Sequence, residues 1–106
     1  MDHTPYTYLI IRRDLSVPQQ IVQASHAAHN AGETFGEHSH LICFEVDGEE
    51  KLHKAASYLD THDIQYRMFH ETDIGQHTAI CTRPLKGNER NLMRKFTMYR
   101  NSVGGS

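Results

Sequence analysis

QQIVQASHAAHNAGETF, residues 19–35, is the stretch on which the fold turns. Apolar or small residues recur at Ile21, Ala24, Ala28, Ala31 and Phe35, three and four apart. Polar residues recur at Gln19, Gln23, His26, Asn30 and Glu33 with similar spacing, displaced by two positions. On a helix of 3.6 residues per turn that displacement is about 200°. The segment therefore predicts an amphipathic helix. A mostly alanine stripe faces the core, and an opposite stripe of amide, imidazole and carboxylate groups lines a cleft.

The flanks agree with a helix. Ser16 is a candidate N-cap with Pro18 just inside it, and Gly32 and Gly36 offer stops that put the end near Phe35. Before the helix, residues 6–12 (YTYLIIR) predict a strand, central because Leu9-Ile10-Ile11 is continuously apolar. After it come a polar connection (37–40), a strand over 41–46 (LICFEV), a turn at Asp47-Gly48 with Asp47 as cap, and a helix over 49–62. Residues 64–69 (IQYRMF) predict a third strand and 77–83 (HTAICTR) a fourth, stopped by Pro84 and separated by a polar loop at 71–76. A last helix is predicted over 88–99, with Leu92, Phe96 and Tyr99 as its apolar side, and a frayed tail over 101–106. The order β-α-β-α-β-β-α calls for parallel crossovers early and an antiparallel pair late, hence an α/β fold with a mixed four-stranded sheet. No repeat or linker divides the 106 residues, so one domain is expected, with its core over about 6–100.

Composition narrows the class. Hydrophobic content of 38% and charged content of 23% suit a folded, soluble chain. No apolar run approaches the ~20 residues of a membrane span, and no signal peptide is visible. Cys43 and Cys81 sit in strand-like runs and read as free thiols in a reducing cytoplasm. The net charge of −2 conceals an asymmetry: residues 83–106 carry +5 and residues 1–82 carry −7. A basic end suggests an anionic partner such as RNA. The competing reading is a solvated helix lying on its own acidic body.

Two groups of residues carry possible chemistry. Arg12, Asp14, Gln23, Ser25 and His26 fall where an open α/β sheet binds ligands, beyond the carboxyl ends of its strands. His26, His29, His38 and His40 have metal-like spacings. No acidic or thiolate set completes a familiar pattern around them, so neither a metal nor a cofactor is expected.

The first group also carries a resemblance. YLIIRRDLSVP followed by QIVQASHAA resembles the opening of the type II peptidyl-tRNA hydrolases, the archaeal and eukaryotic kind. Their pattern is an apolar strand, R-x-D-L, then a helix reading K-x-x-A-Q-C-S-H-A. Arg12, Asp14 and Leu15 match the loop. Gln23, Ser25, His26 and Ala27 match the helix, with Ala24 in place of the cysteine. TAICTRP, residues 78–84, is similar to the family's last strand, so the resemblance runs over about 8–84.

The resemblance implies a three-layer α/β/α sandwich and hydrolysis of the ester between a peptide and the terminal ribose of tRNA. Its glutamine carries over to Gln23 and its threonine to Thr78. Its lysine position is Gln19 here, and its aspartate falls in a shorter loop, at Glu71 or Asp73, with Glu71 preferred because it directly follows the third strand. The chain thus looks like a compact, divergent member. Glu71 or Asp73 would orient or deprotonate water, Thr78 would hold water or the ester carbonyl, Gln23 would donate to the oxyanion, and His26 would support Gln23 or titrate. Arg12, Asp14, Gln19, Lys86, Arg90 and Arg94 are the candidate contacts to tRNA or peptidyl-tRNA. A second copy of the chain is a further candidate partner. The alternative is a non-catalytic relative that binds RNA or a protein.

Overall fold

The apolar run in β1 (Tyr6–Arg12) can be continuous because β1 has a strand on each side and a helix over each face. The computed structural model describes residues 3–36 and 39–100. β1 pairs in parallel with β2 (His40–Val46) and antiparallel with β4 (Gln76–Thr82). β3 (Tyr66–Glu71) forms a hairpin with β4, and β5 (Thr97–Met98) pairs antiparallel with the outer side of β2. The order across the sheet is β3-β4-β1-β2-β5.

Alternation along β1 divides the core. Leu9 and Ile11 meet α1 (Val17–Phe35) through Ala27 and Ala31. Tyr8 and Ile10 meet α2 (Glu49–Thr61) through Leu52, Ala55, Ala56 and Leu59. Cys43 and Cys81 both lie opposite Leu9, one on each neighbouring strand. Two strand spacings separate them by about 9.5 Å, beyond disulfide reach, and both thiols are free. Burial raises both thiol pKa values, that of Cys43 to about 11, so the thiols stay protonated.

The start of α1 follows the local chemistry. Ser16 caps it, Gln19 closes a capping box back onto Ser16, and Gly36 ends it at φ 66°, a left-handed geometry that favours glycine. The rotation of the helix differs from the alanine-stripe expectation. The buried residues are Gln20, Gln23, Ala27 and Ala31, whereas Ile21 is 61% exposed. Two glutamines can replace aliphatic residues on the packed face because each is hydrogen-bonded there. Gln20 Nε2 donates to the carbonyls of Arg13 and Leu15, pinning the loop between β1 and α1.

Three other expectations are corrected. The sheet has five strands, not four. The predicted helix over 88–99 is instead a 3-10 helix, Gly87–Lys95, followed by β5. Met93 is the only buried residue of that helix, too little apolar surface to hold a longer one, and the outer edge of β2 offers unpaired backbone groups that the chain takes up. The expected apolar side is consequently split: Leu92 and Phe96 pack on the α2 side and Tyr99 on the α1 side. Asp47 does not cap α2; Gly48 stands at the cap, and Asp47 lies 3.6 Å from Arg13. The 101–106 tail lies outside the described residues. Among the described residues no helix is long and apolar enough to cross a membrane.

Candidate functional site

Gln23 is the pivot of the site on the α1 side. Its Nε2 donates to Glu71 Oε2 at 3.0 Å, and its Oε1 accepts from the Thr78 hydroxyl at 2.6 Å. An ionised carboxylate only accepts, so the amide nitrogen faces Glu71 and the oxygen faces Thr78, whose proton is thereby committed. The two partners are 48 and 55 residues away in sequence and arrive on β3 and β4. Gln23 and Thr78 are buried, while Glu71 is half-buried at the end of its strand.

Thr78 reaches α1 because β4 is irregular. Phe69 pairs with Ala79 and the next residue, His70, with His77, leaving Thr78 as an unpaired bulge residue. Ile80 faces α2 and Ala79 faces α1, so strict alternation would send Thr78 toward α2. The bulge reverses this. Thr78 joins Gln23 on the α1 side, and His77 turns to the α2 side.

The cleft beside this trio has a volume of about 260 Å³. Leu15, Pro18, Gln19, Val22, Asp73 and Ile74 line it together with Gln23, Glu71 and Thr78. The Glu71 carboxyl is held below its ordinary value, first by the Gln23 amide, then by the Asp73 backbone N–H, with a smaller contribution from the charge of His26. His26 itself is exposed and stacks on Phe69, ring centroids 4.7 Å apart. Gln19 spends its side chain on the Ser16 cap at the rim. None of the lining residues is a lysine or arginine.

Arg12 and Asp14 lie elsewhere. Arg12 is buried and binds Asp14 through two nitrogens at 3.0 and 2.7 Å, a fork-to-fork pair that raises the arginine pKa and lowers that of the carboxyl. Arg12 Nη1 also donates to Gln76 Oε1 and to the His77 carbonyl. The His77 N–H donates to Glu49 Oε2 at 2.9 Å. Glu49, His53 and His77 thus cluster at the start of α2, each with one potential metal-ligand atom within 4.8 Å of the others. Sequence reading had no route to this group, because only the Glu49–His53 spacing is local and the bulge that turns His77 is not visible in composition.

The histidines singled out by spacing do not assemble. His26 stacks on Phe69, His29 pairs with Glu33, and His40 packs on Tyr6; His38 lies outside the described residues. The basic end is spread along the sheet: Arg90 sits on the α2 side near the start of β1, whereas Lys95 and the Arg100 backbone lie by Glu45 near its other end. Arg90 lies over the Tyr6 ring at 3.6 Å and donates to the Tyr8 hydroxyl, and Arg94 lines a groove with Phe96 and Met98. Lys86 precedes the 3-10 helix at its N-cap position. Tyr6 and Arg12 bound β1, so Arg90 and the Gln23 group are about 20 Å apart along the strand.

Fold and site together define an α/β protein with a mixed five-stranded sheet, helices on both faces and a polar trio in a cleft beside the β3–β4 hairpin. No family model matches the chain, and no curated protein matches it. Among solved structures it is similar to a protein of unknown function, Atu0240 of Agrobacterium tumefaciens strain C58, with a TM-score of 0.71 and 11% identity. The match covers 91% of this chain and 98% of that one. At that identity the likeness establishes the fold.

Proposed function

We propose that this chain is a hydrolase of the ester joining a peptide to the terminal ribose of tRNA, related to the type II peptidyl-tRNA hydrolases. The observation that carries the reading is the Gln23 amide held between Glu71 and Thr78 in an open cleft. In this reading α1 on one side and α2 with the 3-10 helix on the other are the outer layers of an α/β/α sandwich, and the free thiols suit a cytoplasmic protein.

The hydrogen bonds assign the roles. Thr78 gives its proton to an amide oxygen, which is no base, so its hydroxyl is not activated for attack; water is the nucleophile. A carboxylate held below its ordinary pKa is a weak general base. Glu71 therefore orients the water and stabilises positive charge developing on it more than it removes its proton. Gln23 donates one Nε2 hydrogen to Glu71 and has a second for the developing oxyanion. Thr78 is a positioning residue that fixes the amide. Gln19 stands where the resembled family has lysine, and the cleft lining carries no lysine or arginine in its place.

A second reading has its own observation. Val17, Ile21, Val22 and Ile74 are exposed, and Val22 and Ile74 line the cleft. An apolar rim fits a peptide or a protein partner better than a phosphate backbone, and favours binding without turnover.

Release of an N-blocked aminoacyl group from tRNA distinguishes the two. Multiple turnover is expected, with kcat falling about 100-fold or more in Gln23→Ala and Glu71→Gln, the size of a lost oxyanion donor. Substrate left intact by an equimolar amount of folded protein would overturn the hydrolase reading. Retention of that substrate on the protein without cleavage would favour the second.

A further inference from the structure

The other face of the β4 bulge carries side chains that the proposed hydrolysis does not use. Glu49 opens α2 and His53 follows one turn later, so the two share a helix face. His77 arrives from β4. His53 Nε2 and His77 Nδ1 lie 3.7 and 3.8 Å from the same oxygen, Glu49 Oε2. The two imidazole rings stand nearly perpendicular at 87°, with centroids 5.0 Å apart.

We propose that Glu49, His53 and His77 form a binding site for one divalent first-row transition-metal ion, zinc(II) by preference, with two imidazoles and a carboxylate as ligands and the fourth position open to solvent. The spacing fits. Metal–ligand bonds of about 2.0–2.2 Å at the tetrahedral angle put ligand atoms roughly 3.3–3.5 Å apart. Closing the 3.7 and 3.8 Å separations from Glu49 Oε2 takes a few tenths of an ångström, and the two imidazole nitrogens, which with that oxygen lie within 4.8 Å of one another, close the rest by side-chain rotation. His53, half exposed on a helix surface, has the freedom to supply it.

The donor set also selects the ion. Two imidazole nitrogens and one oxygen disfavour magnesium and calcium, which take oxygen ligands, and the set has no thiolate for copper(I). The carboxylate is already oriented, because Glu49 Oε2 accepts the His77 backbone N–H. Arg12 is close enough to lower the Glu49 pKa, but its charge is matched by the two-pronged pair with Asp14. His70, with its ring centroid 5.1 Å from that of His77, is a further imidazole beside the cluster.

The test is titration of untagged, chelator-treated protein with cobalt(II), followed by its visible absorption, and with zinc(II) by calorimetry. One equivalent is expected, with the intense visible bands of four-coordinate cobalt, displaced by zinc. Loss of a ligand should weaken binding by at least the ~100-fold seen for outer partners, so His53→Ala and Glu49→Gln should each fall that far. His29→Ala, on the far side of the sheet, should bind as the parent does. His53 is a surface residue and Gln keeps an acceptor for the His77 N–H, so both variants fold; circular dichroism verifies this. Absence of binding to the parent, or unchanged binding in both ligand variants, would overturn the proposal. The peptidyl-tRNA assay on metal-free protein is read separately, since the two sites occupy opposite faces.

Discussion

Substitution of Thr78 by valine isolates the hydrogen bond that orients Gln23. The two side chains have nearly the same shape, so no cavity opens. What changes is that Gln23 Oε1, on a residue only 4% exposed, loses a 2.6 Å donor. Leaving a buried acceptor unpaired costs about 1–3 kcal/mol. Burying an additional methyl in place of the hydroxyl returns up to about 0.8 kcal/mol. The net expectation is a loss of about 0.2–2 kcal/mol, or a fall in Tm of up to about 10 °C for a domain of this size.

Urea unfolding followed by circular dichroism measures the loss, with m unchanged if the native state keeps its compactness. Gln23→Leu combined with Thr78→Val removes both ends of the bond. The double variant should be more stable than the two single losses added together, by about 1 kcal/mol. Thr78→Ser keeps the hydroxyl and should retain turnover, whereas Thr78→Val should lose it while still folded. A Thr78→Val protein as stable as the parent or more stable, with turnover unchanged, would refute the reasoning. It would mean that Gln23 reaches water or swings away from the strand, and that the amide is not held for chemistry.

Two further outcomes follow from the charged groups. Asp14 and Glu71 have folded pKa values below their ordinary 3.8 and 4.5, and a carboxylate lowered in this way stabilises the fold fully above its ordinary value and loses that contribution as pH falls through the lowered one. His77, lowered from 6.5, takes its proton more readily when unfolded, so stability should already begin to fall as pH drops below about 6.5, and in metal-free His77→Gln this upper part of the slope should flatten in urea titrations at successive pH values. Arg12→Met should cost about 1.5–3 kcal/mol by urea unfolding through its charged hydrogen bonds, and Arg12→Lys should not restore them, because a point charge cannot reproduce the fork.

The parts legible in the sequence are those with a local cause. Leu9-Ile10-Ile11 announces a strand covered on both faces, and Ser16 and Gly36 announce the ends of α1. The rotation of α1 was not legible, because hydropathy ranks Ile21 above Gln20 and Gln23, and the partners that make those glutamines packable come from distant strands. Thr97-Met98 becomes a strand only because the edge of β2 is open beside it. At the site, Gln23 and Thr78 were reachable through motif resemblance, and Glu71 through its position after a strand. That they touch required the hairpin register, which no periodicity encodes.

That register links the two faces. In an unbroken β4, His77 would face α1 and Thr78 would face α2, so neither the Gln23 trio nor the Glu49 cluster would exist. The bulge swaps them, at the cost of freeing backbone groups from the ladder. His77 lies beyond the last β1–β4 pair, Ile11 with Ala79, and side chains take up its backbone groups there: Arg12 donates to its carbonyl, and Glu49 accepts its N–H. Asp14 in turn holds the Arg12 guanidinium. The R-x-D pair at the end of β1 thereby acquires a physical task that requires no contact with substrate. It clamps the irregularity that points Thr78 at Gln23. This accounts for a buried arginine lying across the sheet from the cleft, and it makes Arg12 a positioning residue for both sites at once.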